Sequence, residues 1–178
     1  KSISNSIATL IVIAAAYVAP QASAGIHIEP FIGYAVSGET KQGTTTDDYS
    51  GGPLMGARLG YGMLGFFIAA EYEFGTLTQK STPEKDVDQT GLGVSLGYEF
   101  PILLRVYGTY FVDAKSKVDA GEFTGTGVKV GVGYTGLPFV AINLEMTNLT
   151  MDEFEGIALN NEVDSSYYTL NISVPLNF

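Results

Sequence analysis

The chain has 178 residues, with nine basic and 19 acidic side chains, a formal charge of -10, and neither Cys nor Trp. Disulfide frameworks, thiolate metal sites and cysteine nucleophiles are therefore excluded, and seven Lys and two Arg scattered along so acidic a chain argue against a nucleic-acid partner. With 46% hydrophobic and 16% charged residues, 22 glycines and 11 tyrosines, the composition is too apolar for disorder and too poor in charge for an ordinary soluble domain.

The first element is an address. Lys1 precedes an apolar stretch from Ile7 to Ala19, then Pro20, then Ala22-Ser23-Ala24, small residues at the spacing a signal peptidase accepts. Residues 1–24 read as a secretory signal cleaved before Gly25, which leaves 25–178 as one domain. The apolar run is shorter than the roughly 20 residues a membrane-crossing helix needs, and no later segment approaches that length.

From Ile26 onward, apolar residues recur at every second position, the period of a strand with two unlike faces. Eight such segments follow. The first sets Ile28, Ile32, Tyr34 and Val36 against His27, Glu29, Gly33 and Ser37. The second sets Met55, Ala57, Leu59, Tyr61 and Met63 against Gly56, Arg58, Gly60 and Gly62, and the third Phe66, Ile68, Ala70, Tyr72 and Phe74 against Ala69, Glu71, Glu73 and Gly75. In the fourth, Leu92, Val94, Leu96, Tyr98 and Phe100 oppose Gly93, Ser95, Gly97 and Glu99. The fifth is less regular, with Leu104, Val106, Tyr110 and Val112 against Arg105, Thr109 and Asp113. Val128 to Tyr134 alternate with Lys129 and three glycines, and Val140 to Met146 alternate with Ala141, Asn143, Glu145 and Thr147. The last segment sets Tyr168, Leu170, Ile172, Val174, Leu176 and Phe178 against Thr169, Asn171, Ser173, Pro175 and Asn177. Phe31, Phe67, Tyr107 and Phe111 break the pattern by falling on the small, polar face.

Connections alternate in length. Leu64-Gly65, Pro101-Ile102 and Thr135 to Pro138 are tight turns; Gly38 to Gly52, Leu77 to Gln89, Lys115 to Glu122 and Met151 to Ser165 are long and polar. Eight strands of roughly ten residues, with short turns on one rim and long loops on the other, describe an all-β, eight-stranded antiparallel up-and-down transmembrane β-barrel. So narrow a cylinder has room only for a modest set of side chains, so the bulky apolar face must point outward. Such a face in water would be an aggregation patch; in lipid it is the required surface. Aromatics fall at both ends of that face, where rings favour the headgroup level: Tyr61, Phe66, Tyr98, Phe100, Tyr134 and Phe178 at the turn rim, and Tyr34, Tyr72, Phe74, Tyr110 and Tyr168 at the loop rim.

The cleavable leader, the eight alternating strands and the final strand Tyr167 to Phe178, ending in Phe, resemble the small outer-membrane β-barrel family of Gram-negative bacteria, the OmpA/OmpX-like and porin-family barrel domains. The resemblance covers the whole of 25–178 and implies residence in the outer membrane, with the short turns in the periplasm, the long loops outside the cell, and lipid and lipopolysaccharide around the barrel. It also implies that terminal Phe178 serves as the sorting signal read by the barrel-assembly machinery. Nothing like a peptidoglycan-binding domain follows Phe178, so the resemblance is to the barrel-only members.

Inside the expected lumen, Glu29, Glu71, Glu73, Glu99, Asp113 and Glu145 face Arg58, Arg105 and Lys129. The three cations are expected to anchor a buried ion-pair network that plugs the barrel, because an unpaired charge does not stay dry. The rival is a narrow, cation-leaning pore. His27, the single histidine, shares a face with Glu29 and reads as a rim histidine in a polar network rather than as half of a catalytic pair. No catalytic, cofactor or metal residue is assigned, and the chain reads as a non-enzyme. Gly60 to Gly65 fits G-x-G-x-x-G but precedes a strand where a dinucleotide site needs a helix, and the sequons at Asn148 and Asn171 lie in strands. The loops carry acids such as Asp47, Asp48, Asp86, Asp88, Asp152, Glu153 and Glu155. They are expected to engage a surface ligand, with divalent cations bridging to lipopolysaccharide phosphates as a sharper variant. A lipid-modifying enzyme and a soluble carrier of lipocalin type are the remaining rivals.

Overall fold

The computed structural model describes residues 24–80, 84–119 and 121–178; the expected leader, apart from Ala24, lies outside the described residues. Eight antiparallel strands follow in order: β1 (Gly25–Gln42), β2 (Thr45–Met63), β3 (Phe66–Gln79), β4 (Lys85–Phe100), β5 (Leu104–Val118), β6 (Gly121–Leu137), β7 (Val140–Phe154) and β8 (Ile157–Ser173). Each pairs with the next, and β1 pairs with both β2 and β8, so the sheet closes into a cylinder. Beyond Val174 and Pro175, β8 resumes as a two-residue strand, β9 (Leu176–Asn177), paired with β1. Proline has no N–H for the ladder, which accounts for the break. Phe178 and Ile26 then exchange backbone hydrogen bonds of 3.0 Å in both directions, sealing the seam down to its last residue.

The apolar face is the exterior. Leu96, Val130 and Ile172 are 61%, 58% and 51% exposed, whereas Arg58, Glu71 and Arg105 are fully buried. Closure satisfies the strand hydrogen bonds without an edge, so this outer band suits hydrocarbon. Of the eleven aromatics expected at the rims, Tyr34, Tyr61, Phe66, Tyr72, Phe74, Tyr98, Phe100, Tyr110, Tyr134 and Tyr168 project from the outer wall, with Tyr98 the one half-buried member, and Phe178 is exposed at the seam. Tyr98 packs at 4.4 Å from Phe66 and 4.9 Å from Phe100, a short aromatic run near the periplasmic turns.

The four aromatics that broke the alternation keep the parity of their strands and are buried inside. Glycines across the ladder make room for them. Phe31 lies opposite Gly56, Phe67 opposite Gly97, and Tyr107 between Gly97 and Gly131. A Cβ added at Gly56, Gly97 or Gly131 would stand 2.6, 2.3 or 2.3 Å from those rings, and one at Gly91 would stand 2.8 Å from Phe111. The glycine-rich face is therefore a set of sockets rather than empty space.

Two expectations of parity fail, both at bulges. On β5, Leu92 of β4 pairs with Asp113 while Gly93 pairs with Phe111. The extra residue turns Asp113 to the outer side, so it is not a lumen charge. On β1, Ala35 pairs with Thr169 and Ser37 with Tyr168, which turns Ser37 outward in the same way.

The long polar stretches are mostly strand rather than loop. β1 and β2 run on to a turn at Gly43-Thr44, and β7 and β8 to a turn at Glu155-Gly156, both residues of which have positive φ (51° and 76°). That is the primed geometry whose twist matches a tight hairpin. The same geometry recurs at Leu64-Gly65, with φ of 55° and 84°. The third short turn is displaced: β6 continues through the expected Thr135–Leu137 stretch and reverses at Pro138-Phe139. These strand ends reverse the polarity of the two faces. On β7 the outer residues pass from Ile142, Leu144 and Met146 to Thr150 and Asp152, while the inner ones pass from Asn143, Glu145 and Thr147 to Leu149 and Met151. Alternation continues unbroken; what changes is the solvent outside.

Gly131→Ala is expected to overpack the Tyr107 socket and to cost about 1–3 kcal/mol. Gly108→Ala, whose added Cβ meets nothing nearer than 3.6 Å, should leave stability unchanged. Urea midpoints of the detergent-folded barrels, followed by heat-modifiable gel migration, measure the difference.

Candidate functional site

The lumen is filled in layers. At the periplasmic end the His27 ring stacks on Phe67, with centroids 4.7 Å apart and planes within 15°. His27 Nδ1 lies 2.9 Å from Asn177 Oδ1, and Nε2 lies 3.2 Å from Glu29 Oε2. This ties the first strand to the last residues of the chain. Above it Arg105 donates from Nε to Asn143 Oδ1 (2.8 Å) and from Nη2 to Ser173 Oγ (3.0 Å) and to Glu29. Asn143 in turn donates to Asn171 (2.6 Å).

Arg58 is the hub. Its Nε donates to Glu71 (2.8 Å), Nη1 to Glu29 (3.1 Å) and Nη2 to Glu145 (2.9 Å), so one guanidinium holds three carboxylates from three strands. The planar fork of arginine spreads its donors over three separate nitrogens, so the three carboxylates need not crowd around one atom as they would around a lysine ammonium. Phe31 and Tyr107 cover the guanidinium, with ring centroids 4.8 and 4.3 Å from Cζ. Lys129 completes the network from β6, donating to Glu71 Oε1 (2.9 Å) and to Glu73 and lying 3.7 Å from Glu145. Tyr107 donates its hydroxyl to Glu145, and Ser95 and Thr109 donate to Glu71.

Seven of the nine charged residues expected in the lumen, Glu29, Arg58, Glu71, Glu73, Arg105, Lys129 and Glu145, thus meet in one buried network. Glu99 stays at the periplasmic rim, half-buried and 4.0 Å from Arg105. Asp113 is outside, as the bulge requires. With those two acids removed, four buried carboxylates face three fixed cations and His27, a closer balance than the sequence suggested.

Extracellular to this network the interior is apolar. Leu54, Leu77, Val87, Phe111, Leu149, Met151 and Val163 pack into one cluster with Tyr49 and Tyr167. Tyr167 joins the two zones, donating to Glu73 at 3.4 Å. A cavity of about 10 Å³ between Glu73, Gln89, Phe111 and Tyr167 has room for about one water. Leu54, Leu77, Val87, Phe111, Leu149, Met151, Val163 and Tyr167 share parity with a lumen residue of the same strand, so the sequence carries the signal for them, whereas Tyr49 is turned inward by a bulge at Tyr49–Gly51.

Outside, the strand ends form acidic ribbons. On the β3–β6 side, lysines answer some of the acids: Lys85 pairs with Asp119 (2.7 Å), and Lys117 and Lys115 pair with Glu122 (3.0 and 3.6 Å). The hydrogen bond between Lys117 and Glu122 raises the proton affinity of the lysine and lowers that of the carboxylate. The β7–β8 ribbon carries Asp152, Glu153, Glu155, Glu162 and Asp164 and no basic residue. Next to it around the barrel, the β1–β2 ribbon holds Glu39, Asp47 and Asp48 with Lys41, which binds Glu39 at 2.6 Å. Among the described residues, no three of the acids gather where they could hold a metal ion.

No protein-family model and no curated protein matches the sequence. Solved structures do match in shape. Neisserial surface protein A superposes with a TM-score of 0.59 at 17% identity, over 85% of this chain and 98% of that one. The attachment invasion locus protein of Yersinia pestis superposes with a TM-score of 0.57 at 14% identity, over 85% and 99%. The fold is that of the small outer-membrane barrels. A second structure of the Yersinia protein, in complex with the heparin analogue sucrose octasulfate, gives a TM-score of 0.56 at 13% identity. At these identities the likeness is one of architecture. With its exposed apolar band, this architecture is that of a barrel that spans a bilayer.

Arg58→Ala leaves Glu29, Glu71 and Glu145 without their shared partner and is expected to cost about 3–5 kcal/mol. Arg58→Lys should recover only part of that, because an ammonium cannot replace the three-way fork. Equilibrium unfolding in urea, with refolding checked by gel migration, reads both.

Proposed function

We propose that this chain is a non-conducting, non-catalytic outer-membrane barrel that acts by presenting an acidic extracellular surface to a cationic partner. The observation that carries the reading is the uneven distribution of charge: the lysines of the outer ribbons lie mostly on β3–β6, and the β7–β8 ribbon holds five acids without a base. Long ribbons on a rigid barrel are well placed for recognition. Uncompensated carboxylates attract basic ligands and speed encounter with them. A polyanion such as the sulfated sugar bound by the Yersinia protein would be repelled here, so the common fold does not carry a common ligand.

The filled lumen supports the plug over the cation-leaning pore, because ions would have to cross both a bonded charge network and an apolar layer. A carrier of lipocalin type needs a roomy apolar interior under a polar exterior; here the lower barrel is polar inside and apolar outside, and the apolar upper interior is filled by its own side chains. His27 is buried, stacked and hydrogen-bonded at the periplasmic end, which supports a structural role over acid–base work on lipid. Phe178, 70% exposed at the barrel seam, fits the proposed role of sorting signal for the barrel-assembly machinery. Lipopolysaccharide is the proposed neighbour of the outer girdle.

A lysine-rich peptide should bind the detergent-folded barrel, with affinity falling steeply as salt rises. The variant D152K/E153K/E155K should lose most of that binding while Asp86→Lys has a small effect, read by fluorescence anisotropy of the labelled peptide. Equal losses in the two variants would sink the assignment to the β7–β8 ribbon. In planar bilayers the wild-type barrel is expected to show no steady open conductance.

A further inference from the structure

The outer wall is not uniformly studded with side chains. A groove of about 620 Å³ crosses the apolar band over β4 to β7. It follows two neighbouring rows of cross-strand partners. One row runs Leu96, Gly108, Val130, Met146; the next, one pleat nearer the periplasm, begins at Tyr98 and runs to Leu144. Gly108 supplies the depression, since it points outward between Leu96 and Val130 with no side chain. Its surroundings are open enough that an added Cβ would meet only the Lys129 carbonyl, at 3.6 Å. Cross-strand rows climb obliquely in a barrel whose strands are tilted. The groove accordingly rises from Phe66, the first residue of β3, to Tyr168 in the loop-side girdle.

We infer that this groove is a binding site for one acyl chain of a phospholipid drawn from the periplasmic leaflet. The groove is continuous with the lipid-facing band, so a hydrocarbon chain is the ligand its walls select. Its lower mouth opens beside Phe66 and Tyr98, next to the turns Leu64-Gly65 and Pro101 to Leu103, which carry no charged side chain. Glu99, beside those turns, lies on the lumen side at 4.0 Å from Arg105, so a phosphate headgroup on the outer face of the turns meets no carboxylate there. At the upper end it would lie beneath the acidic ribbons, whose charge repels it. Lateral contact between barrels gains little from apolar burial when lipid is the alternative solvent, so a lipid chain is a better occupant than a second copy.

The test is native mass spectrometry of full-length barrel folded into vesicles of phosphatidylethanolamine with added lipopolysaccharide, then extracted into mild detergent. Wild type should retain one phospholipid per barrel. Gly108→Leu fills the floor and should reduce that retention at least fivefold, and Ala57→Leu, an outward position on β2 away from the groove, should not. Heat-modifiable migration confirms that all three are folded. Equal retention in wild type and Gly108→Leu would overturn the inference. So would retention of lipopolysaccharide in place of phospholipid, or a wild-type dimer that Gly108→Leu dissolves.

Discussion

A cylinder of eight strands encloses barely enough volume for the side chains of its own inner wall, and that limit shapes the interior of this barrel. Seven charged groups share the space with aromatic rings, and Phe31, Phe67, Tyr107 and Phe111 are each admitted because glycines of the neighbouring strands leave them room. Charges are tolerated because they are bonded to one another: Arg58 alone engages carboxylates from β1, β3 and β7. Removing either device, socket or ion pair, leaves a buried clash or an uncompensated charge. The rings and the ions also act on each other, since Phe31 and Tyr107 cover Arg58 while Phe31 and Phe111 flank Lys129.

Between the bulges the alternation runs the length of the strands, but its meaning changes with height. Within the bilayer the outside is apolar and the inside polar; beyond the loop-side girdle the outside is polar and the inside apolar. The same β-sheet thus behaves as a membrane protein below and as a soluble barrel above, and the crossover on β7 falls between Met146 and Thr150. The polar lower interior is held by bonding between its charges, the apolar upper interior by packing. Bulges at Ser37 and Asp113 lie close to this level on β1 and β5 and send polar side chains outward where the surroundings become aqueous.

The exterior has two chemistries to offer. Its extracellular ribbons concentrate acid on β7–β8, where no lysine neutralises it, and its lipid-facing wall carries a groove at Gly108. Both depend on the rigidity of the closed sheet, which holds ribbon and groove in fixed register.

Sidedness, strand number and most of the buried network were legible in the sequence, because a period of two sorts every residue to one face and the small face cannot be the outer one in lipid. Thus Glu29, Arg58, Glu71, Glu73, Arg105, Lys129 and Glu145 could be assigned to the lumen by parity alone. Parity says nothing about a bulge, so Asp113 was placed inside. A rule that sent every bulky residue outward had no place for Phe31, Phe67, Tyr107 and Phe111, because their accommodation depends on glycines from neighbouring strands. Polarity alone made the outer strand ends look like loops, since the inner apolar residues that zip them into ribbons come together only around the closed barrel. Cross-strand register is a property of paired chains, and it decided which carboxylate meets which cation, which ring meets which glycine, and where the outer wall is left open.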